Sequence, residues 1–73
     1  MERDWVVYTK ALLRSEMMRK GVNYKGLVER LDAIGIKETE ANLRNKISRG
    51  GFTGAFLLQC LVAMGVTALR LED

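Results

Sequence analysis

The sequence predicts an all-α fold: a compact bundle of four helices in a single domain over residues 1–73. Three observations lead there. No proline interrupts the chain, so helices can run unbroken. Gly21, Gly35, Gly50 and Gly65 fall about fifteen residues apart, each after a helix-like segment, where a left-handed C-cap belongs. Apolar residues recur at helical spacing behind residues that make good N-caps.

The first helix is expected over residues 4–20. Asp4 caps it, and Arg19 and Lys20 sit in the last turn, where the helix dipole favours cations. Trp5, Tyr8, Leu12 and Ser15 or Glu16 form one stripe, with Val6, Leu13 and Met17 close by. The second helix is expected over residues 24–34, capped by Asn23 and stapled by Val22 and Leu27. Leu27, Leu31 and Ile34 make its inward face, and Gly35 stops it.

After a turn in which Ile36 plugs the core, Thr39 caps a third helix that ends at Gly50. Glu40 suits the positive end of its dipole and pairs in the favourable order with Arg44 four residues on. The fourth helix, residues 54–64, is capped by Thr53 and stapled by Phe52 and Leu57. Its interior is apolar on nearly every side, the mark of a helix central to the core or shared with a second copy. In the tail, Val66, Ala68 and Arg70 alternate with Thr67, Leu69 and Leu71, a pattern that admits a short C-terminal β-strand.

A chain of this size buries only about 60% of its unfolded surface. Cys60 is the one cysteine and there is no histidine, so neither a disulfide nor a Cys/His zinc site reinforces the core. Self-association is the remaining route. A homodimer is expected through Phe56, Leu57, Leu61, Leu69 and Leu71. A lone thiol in an apolar run reads as a small hydrophobe in a reducing, cytoplasmic setting. The N-terminal MERDWVVY carries charges and lacks the apolar core of a secretory signal. Residues 50–69 are uncharged, but glycines, threonines and Gln59 dilute the run, so no membrane span is expected.

Net charge is +3 and unevenly spread. Between Lys10 and Arg49 the bases are Lys10, Arg14, Arg19, Lys20, Lys25, Arg30, Lys37, Arg44, Lys46 and Arg49, against the acids Glu16, Glu29, Asp32, Glu38 and Glu40. A basic middle suits a polyanion. Enzyme chemistry is not expected. Without histidine there is no Ser-His or Cys-His pair, and residues 50–54 lack the lysine and spacing of a phosphate loop. No cofactor, metal or small-molecule substrate is implied.

Residues 39–51, TEANLRNKISRGG, form the surface on which a function can be argued. Asn42, Asn45, Lys46 and Arg49 fall in one narrow stripe, with Leu43 and Ile47 on another face. Asparagine costs a helix interior up to about 0.7 kcal/mol relative to alanine, and a solvated face alone is better served by Glu, Lys or Ala. Asparagine can make a bidentate pair with an adenine edge, and Lys or Arg can reach guanine or phosphate. The bland alternative is that Asn42 or Asn45 bonds locally to its own backbone.

Residues 21–66 resemble the helix-turn-helix of the lambda-repressor/Cro-like fold. The matching stretches are Lys20-Gly21-Val22-Asn23, residues 27–31, Gly35-Ile36, Ile47-Ser48-Arg49-Gly50 and Ala63-Met64-Gly65-Val66. The whole chain is also similar to a family of short bacterial proteins of unknown function. Trp5, the Gly21-Val22-Asn23-Tyr24 entry and the block running from Asn42 to Gly50 with its NKISRG core carry that likeness. The helix-turn-helix resemblance implies a dimeric transcriptional regulator that places residues 39–49 in the major groove of duplex DNA. Asn42, Asn45 and Lys46 would then read bases, and Tyr24, Lys25, Lys37, Arg44 and Arg49 would hold phosphates. The chain departs from the pattern: the spacings from Leu27 to Gly35 and from Gly35 to Gly50 are longer than usual, Leu31 stands where a small alanine is expected, Arg44 falls at a core position of the standard register, and Glu38 would face phosphate. A protein-interaction module without DNA binding is the competing expectation, and charge-driven, sequence-independent binding a third. There is no room for a separate ligand domain.

Overall fold

The computed structural model describes residues 4–71 as four helices: α1 (Trp5–Lys20), α2 (Tyr24–Ala33), α3 (Glu40–Arg49) and α4 (Gly54–Ala63). Each starts at the expected cap. Asp4 accepts from the amides of Val6 and Val7, Asn23 from Gly26, Thr39 from Asn42 and Thr53 from Phe56, at 2.7 to 3.2 Å. These bonds satisfy amides that a helix start otherwise leaves unpaired.

The helix ends divide into two kinds. Gly21, Gly35, Gly50 and Gly65 all take positive φ, between 68° and 84°. Beyond three of them the next residue donates back across the last turn: Val22 to the Met17 carbonyl, Ile36 to Leu31 and Val66 to Leu61, at 2.8 to 2.9 Å. This closure turns the apolar side chain after the glycine onto the core. Val22 is buried; Ile36 and Val66 pack against the core from its edge. At the end of α3 the glycine is followed by Gly51, and the Gly50 amide bonds to the Lys46 carbonyl at 3.1 Å. There the ammonium of Lys10, on α1, donates to the Ser48 carbonyl at 2.9 Å.

The core is Leu13, Met17, Val22, Leu27, Leu31, Leu43, Ile47, Phe56, Cys60, Leu61 and Met64. Helix α2 packs on both α3 and α4, and α1 does the same. The last two helices are thus held through the first two. Helix α3 contributes only Leu43 and Ile47 to the buried set, both fully enclosed.

Helix α1 buries Leu13, Glu16 and Met17 and leaves Trp5 two-thirds exposed. Two expectations are corrected. Ile34 follows α2 as its cap and is exposed; Leu27 and Leu31 supply the inward face. The tail forms no strand over residues 66–71, and no strand occurs among the described residues, because an all-helical chain offers that segment no edge to pair with. The last two residues of that tail lie outside the described range. Among the described residues no helix is long and apolar enough to cross a membrane.

Gly50 has the least room of the glycines. A Cβ placed there would lie 3.1 Å from the Val6 carbonyl oxygen, 3.1 Å from Lys10 Cβ and 3.0 Å from a Val6 methyl, at φ +76°. At Gly35, φ is +84° but a Cβ would meet nothing within 4 Å. Urea unfolding should therefore separate the two substitutions. Gly35→Ala is expected to cost about 1 kcal/mol from the left-handed backbone alone, and Gly50→Ala about 2–3 kcal/mol, because backbone must move as well. Equal losses would contradict the close approach of α3 to α1.

Candidate nucleic-acid interface

The outer face of α3 follows from how its inner face is used. With Leu43 and Ile47 in the core, Asn42, Asn45 and Arg49 are left exposed and Lys46 half-buried beside them. Thr39 caps the helix through the backbone amide of Asn42, so the Asn42 carboxamide is not spent on the cap. Among the described residues the side chains of Asn42, Asn45 and Arg49 have no hydrogen-bond or ionic partner. The local-bonding alternative for the two asparagines is therefore not what the side chains do.

Of the other candidate cations, Arg44, Lys37 and Lys46 are engaged. Arg44 pairs with Glu40 at 2.8 Å, and its guanidinium carbon lies 5.4 Å from the centre of the Tyr24 ring. Arg44 is thus outside the core and beside the start of α2. Arg14, on α1, reaches the Tyr24 hydroxyl at 3.4 Å, so helices α1, α2 and α3 converge on one tyrosine. Lys37 pairs with Asp32 across the turn. Lys25 is exposed on the first turn of α2.

Glu38 does not face outward. Its side chain is only 10% exposed and binds the Lys46 ammonium at 2.5 Å, and that ammonium lies 5.0 Å from the centre of the Phe56 ring. The acid that threatened the outer face is turned in under α3 and neutralised there. Cys60 lies close enough to feel both partners. Its thiol is pushed up from 9.0 to about 12, first by burial, then by the negative charge of Glu38, with Lys46 opposing.

The residues expected at a dimer interface divide. Phe56 and Leu61 are buried in the protomer's own core, Leu57 is half-buried, and Leu69 and Leu71 are exposed. The outer face of α4 is carried by Leu58 and Val62, at 62% and 63% exposure. Sequence reasoning also passed over Arg14 and Lys10, which act through α1 on Tyr24 and Ser48. It read Glu38 as surface. Glu38 and Lys46 are eight residues apart, and no helical spacing signals that pair.

Fold and surface together define a small all-helical protein presenting one short helix of unengaged amides and arginine. The chain belongs to a family described as a domain of unknown function (DUF6471), whose model matches residues 5–69 and so takes in all four helices. No curated protein and no solved structure matches it.

Two measurements check this geometry. Lys46→Met should lower unfolding stability by about 1–3 kcal/mol, because it leaves the Glu38 carboxylate enclosed without its cation. A loss no larger than that of an ordinary surface change would show Glu38 to be solvated. Cys60 in the folded protein holds its proton up to about 12 against 9.0 in the open chain. Its contribution to stability is present below pH 9 and lost as pH rises toward 12. The difference in stability between wild type and Cys60→Ala should accordingly shrink over that window, and thiol alkylation of the native protein should proceed only as fast as it unfolds.

Proposed function

We propose that the protein is a sequence-specific DNA-binding protein, a small dimeric transcriptional regulator in which α2 and α3 act as a helix-turn-helix. Helix α3 and its cap, residues 39–49, enter the major groove. One observation carries the reading: Asn42, Asn45 and Arg49 stand exposed on one face of α3 with no partner among the described residues. Asparagines that neither cap nor bond give a helix interior nothing and cost it propensity. Their carboxamides match the donor–acceptor edge of adenine.

The supporting groups fall into place around that face. Lys46 borders it, held by Glu38, as a third base reader. Tyr24 and Lys25 open α2 and take phosphate with Arg44, Lys37 and Arg49. The inward turn of Glu38 relieves the charge conflict that the standard pose implied. Two copies, joined along the outer face of α4 through Leu58 and Val62 with Leu69 and Leu71, would read half-sites about one helical turn apart. The same exposed leucine and valine favour the competing reading, a protein-interaction module that leaves DNA alone.

Fluorescence anisotropy on duplexes selected from random sequence separates these. Arg49→Ala is expected to weaken binding to every sequence and to reduce the log–log salt slope by about one. Asn45→Ala should erase about 1–3 kcal/mol of discrimination at one position while leaving the salt slope unchanged. Absence of binding at low salt rejects the DNA reading in favour of the interaction module, and two variants that bind like wild type reject the assignment of α3.

A further inference from the structure

A groove of about 470 Å³ opens where α3 ends and α4 begins, lined by Lys46, Arg49, Gly51, Phe52, Thr53 and Phe56. That volume lies within the range of small-molecule sites, about 300–1,000 Å³. Its apolar wall is a pair of rings: Phe52 and Phe56 have centres 5.3 Å apart and planes tilted by 58°. Two cations border it, and they are not equivalent. The Lys46 ammonium is already neutralised by the enclosed Glu38 carboxylate, and sits against the Phe56 ring. Arg49 has no partner among the described residues. The groove therefore combines an angled aromatic wall with one uncompensated positive charge in a planar, forked donor group.

We propose that this groove binds a small aromatic monocarboxylate, with its ring on the half-buried Phe52, backed by Phe56, and its carboxylate on the Arg49 guanidinium. The count of charges sets the class. A single free cation matches one negative charge, and a guanidinium takes a carboxylate through two parallel hydrogen bonds. A dianion would bring a second charge with no cation to meet it, since Lys46 is held by Glu38. Gly51 lines the groove, and a Cβ there would meet nothing within 4 Å, so a side chain can be added at that edge without a clash. No separate ligand domain is needed, since the groove is built from the end of α3 itself. The consequence for DNA rests on the function proposed above: a carboxylate on Arg49 removes that arginine from the phosphate or base it would otherwise contact, so ligand and duplex exclude one another.

The test is a titration of the full chain, without DNA, with 2-naphthoate, followed by amide chemical shifts. Saturable shifts are expected at Gly51, Phe52 and Thr53, with a dissociation constant of about 1 mM or tighter for a ligand of that size. The neutral naphthalene-2-carboxamide and inorganic phosphate should each bind at least about tenfold more weakly, the first lacking the charge and the second the ring. Arg49→Gln should weaken 2-naphthoate about tenfold. Gly51→Leu should block it sterically while leaving both cations in place, and its thermal melt reports whether it is folded. Equal binding of the carboxamide, equal binding of phosphate, or undiminished binding by either folded variant overturns the site. Competition against labelled duplex is then measured separately, so that a groove that binds 2-naphthoate in a protein without DNA affinity counts against the DNA reading alone.

Discussion

The close approach of α3 to α1 at Gly50 is the constraint on which the presented surface depends. Helix α3 is ten residues long and encloses only two of them. Isolated helices of that length are marginal in water, so its orientation comes from where it is pinned. Leu43 and Ile47 fix its rotation. Gly50, with no side chain, lets the end of the helix meet the Val6 carbonyl, and Lys10 ties the Ser48 carbonyl to α1. Rotation and position being fixed at separate points, the outward direction of Asn42, Asn45 and Arg49 is determined without a hydrogen bond or ion pair from any of these side chains among the described residues.

The polar inclusion beneath α3 is the second organising feature. Glu38 precedes the helix and Lys46 lies two turns into it, so their pairing folds the entry loop under the helix and against Phe56 of α4. One half-exposed lysine thereby adds a polar link between the third helix and the fourth, beside the apolar core that both enter. Pairing there also carries a second effect: the charge balance at the groove is set by a residue that is not on its lining.

The local elements were legible from the chain because local chemistry dictates them. Asp4, Asn23, Thr39 and Thr53 begin helices by accepting backbone amides, and glycines end them by reaching positive φ; both signals are complete within a few residues. The apolar period gave Leu27, Leu31, Leu43 and Ile47 directly. It singled out no inward face on α1, where apolar residues occur on several sides. Trp5, Val6 and Val7 remain exposed there while Glu16 is buried against Arg19 at 2.6 Å. What the chain did not reveal are relations between distant side chains: Lys10 with Ser48, Arg14 with Tyr24, Glu38 with Lys46 and Cys60. The candidate surface was found because it lies on a single helix, and the groove was not, because it exists only where two helices end.

Three helix ends are closed by a backbone hydrogen bond from beyond the glycine, and the end of α3 is served instead by an ammonium group. The two kinds of closure respond differently to their surroundings. An amide-to-carbonyl bond is indifferent to dissolved ions, whereas a lysine held at exposed carbonyls is screened by them. Salt therefore weakens the contact that stands in for that closure at the last turn of α3, the turn that carries Arg49, whereas the other three corners keep their closing amide bond even where a cation also reaches in, as Lys20 does at the Gly65 carbonyl. Under the proposed function, the segment that would meet DNA is thus the one whose helix end depends on a contact that salt screens.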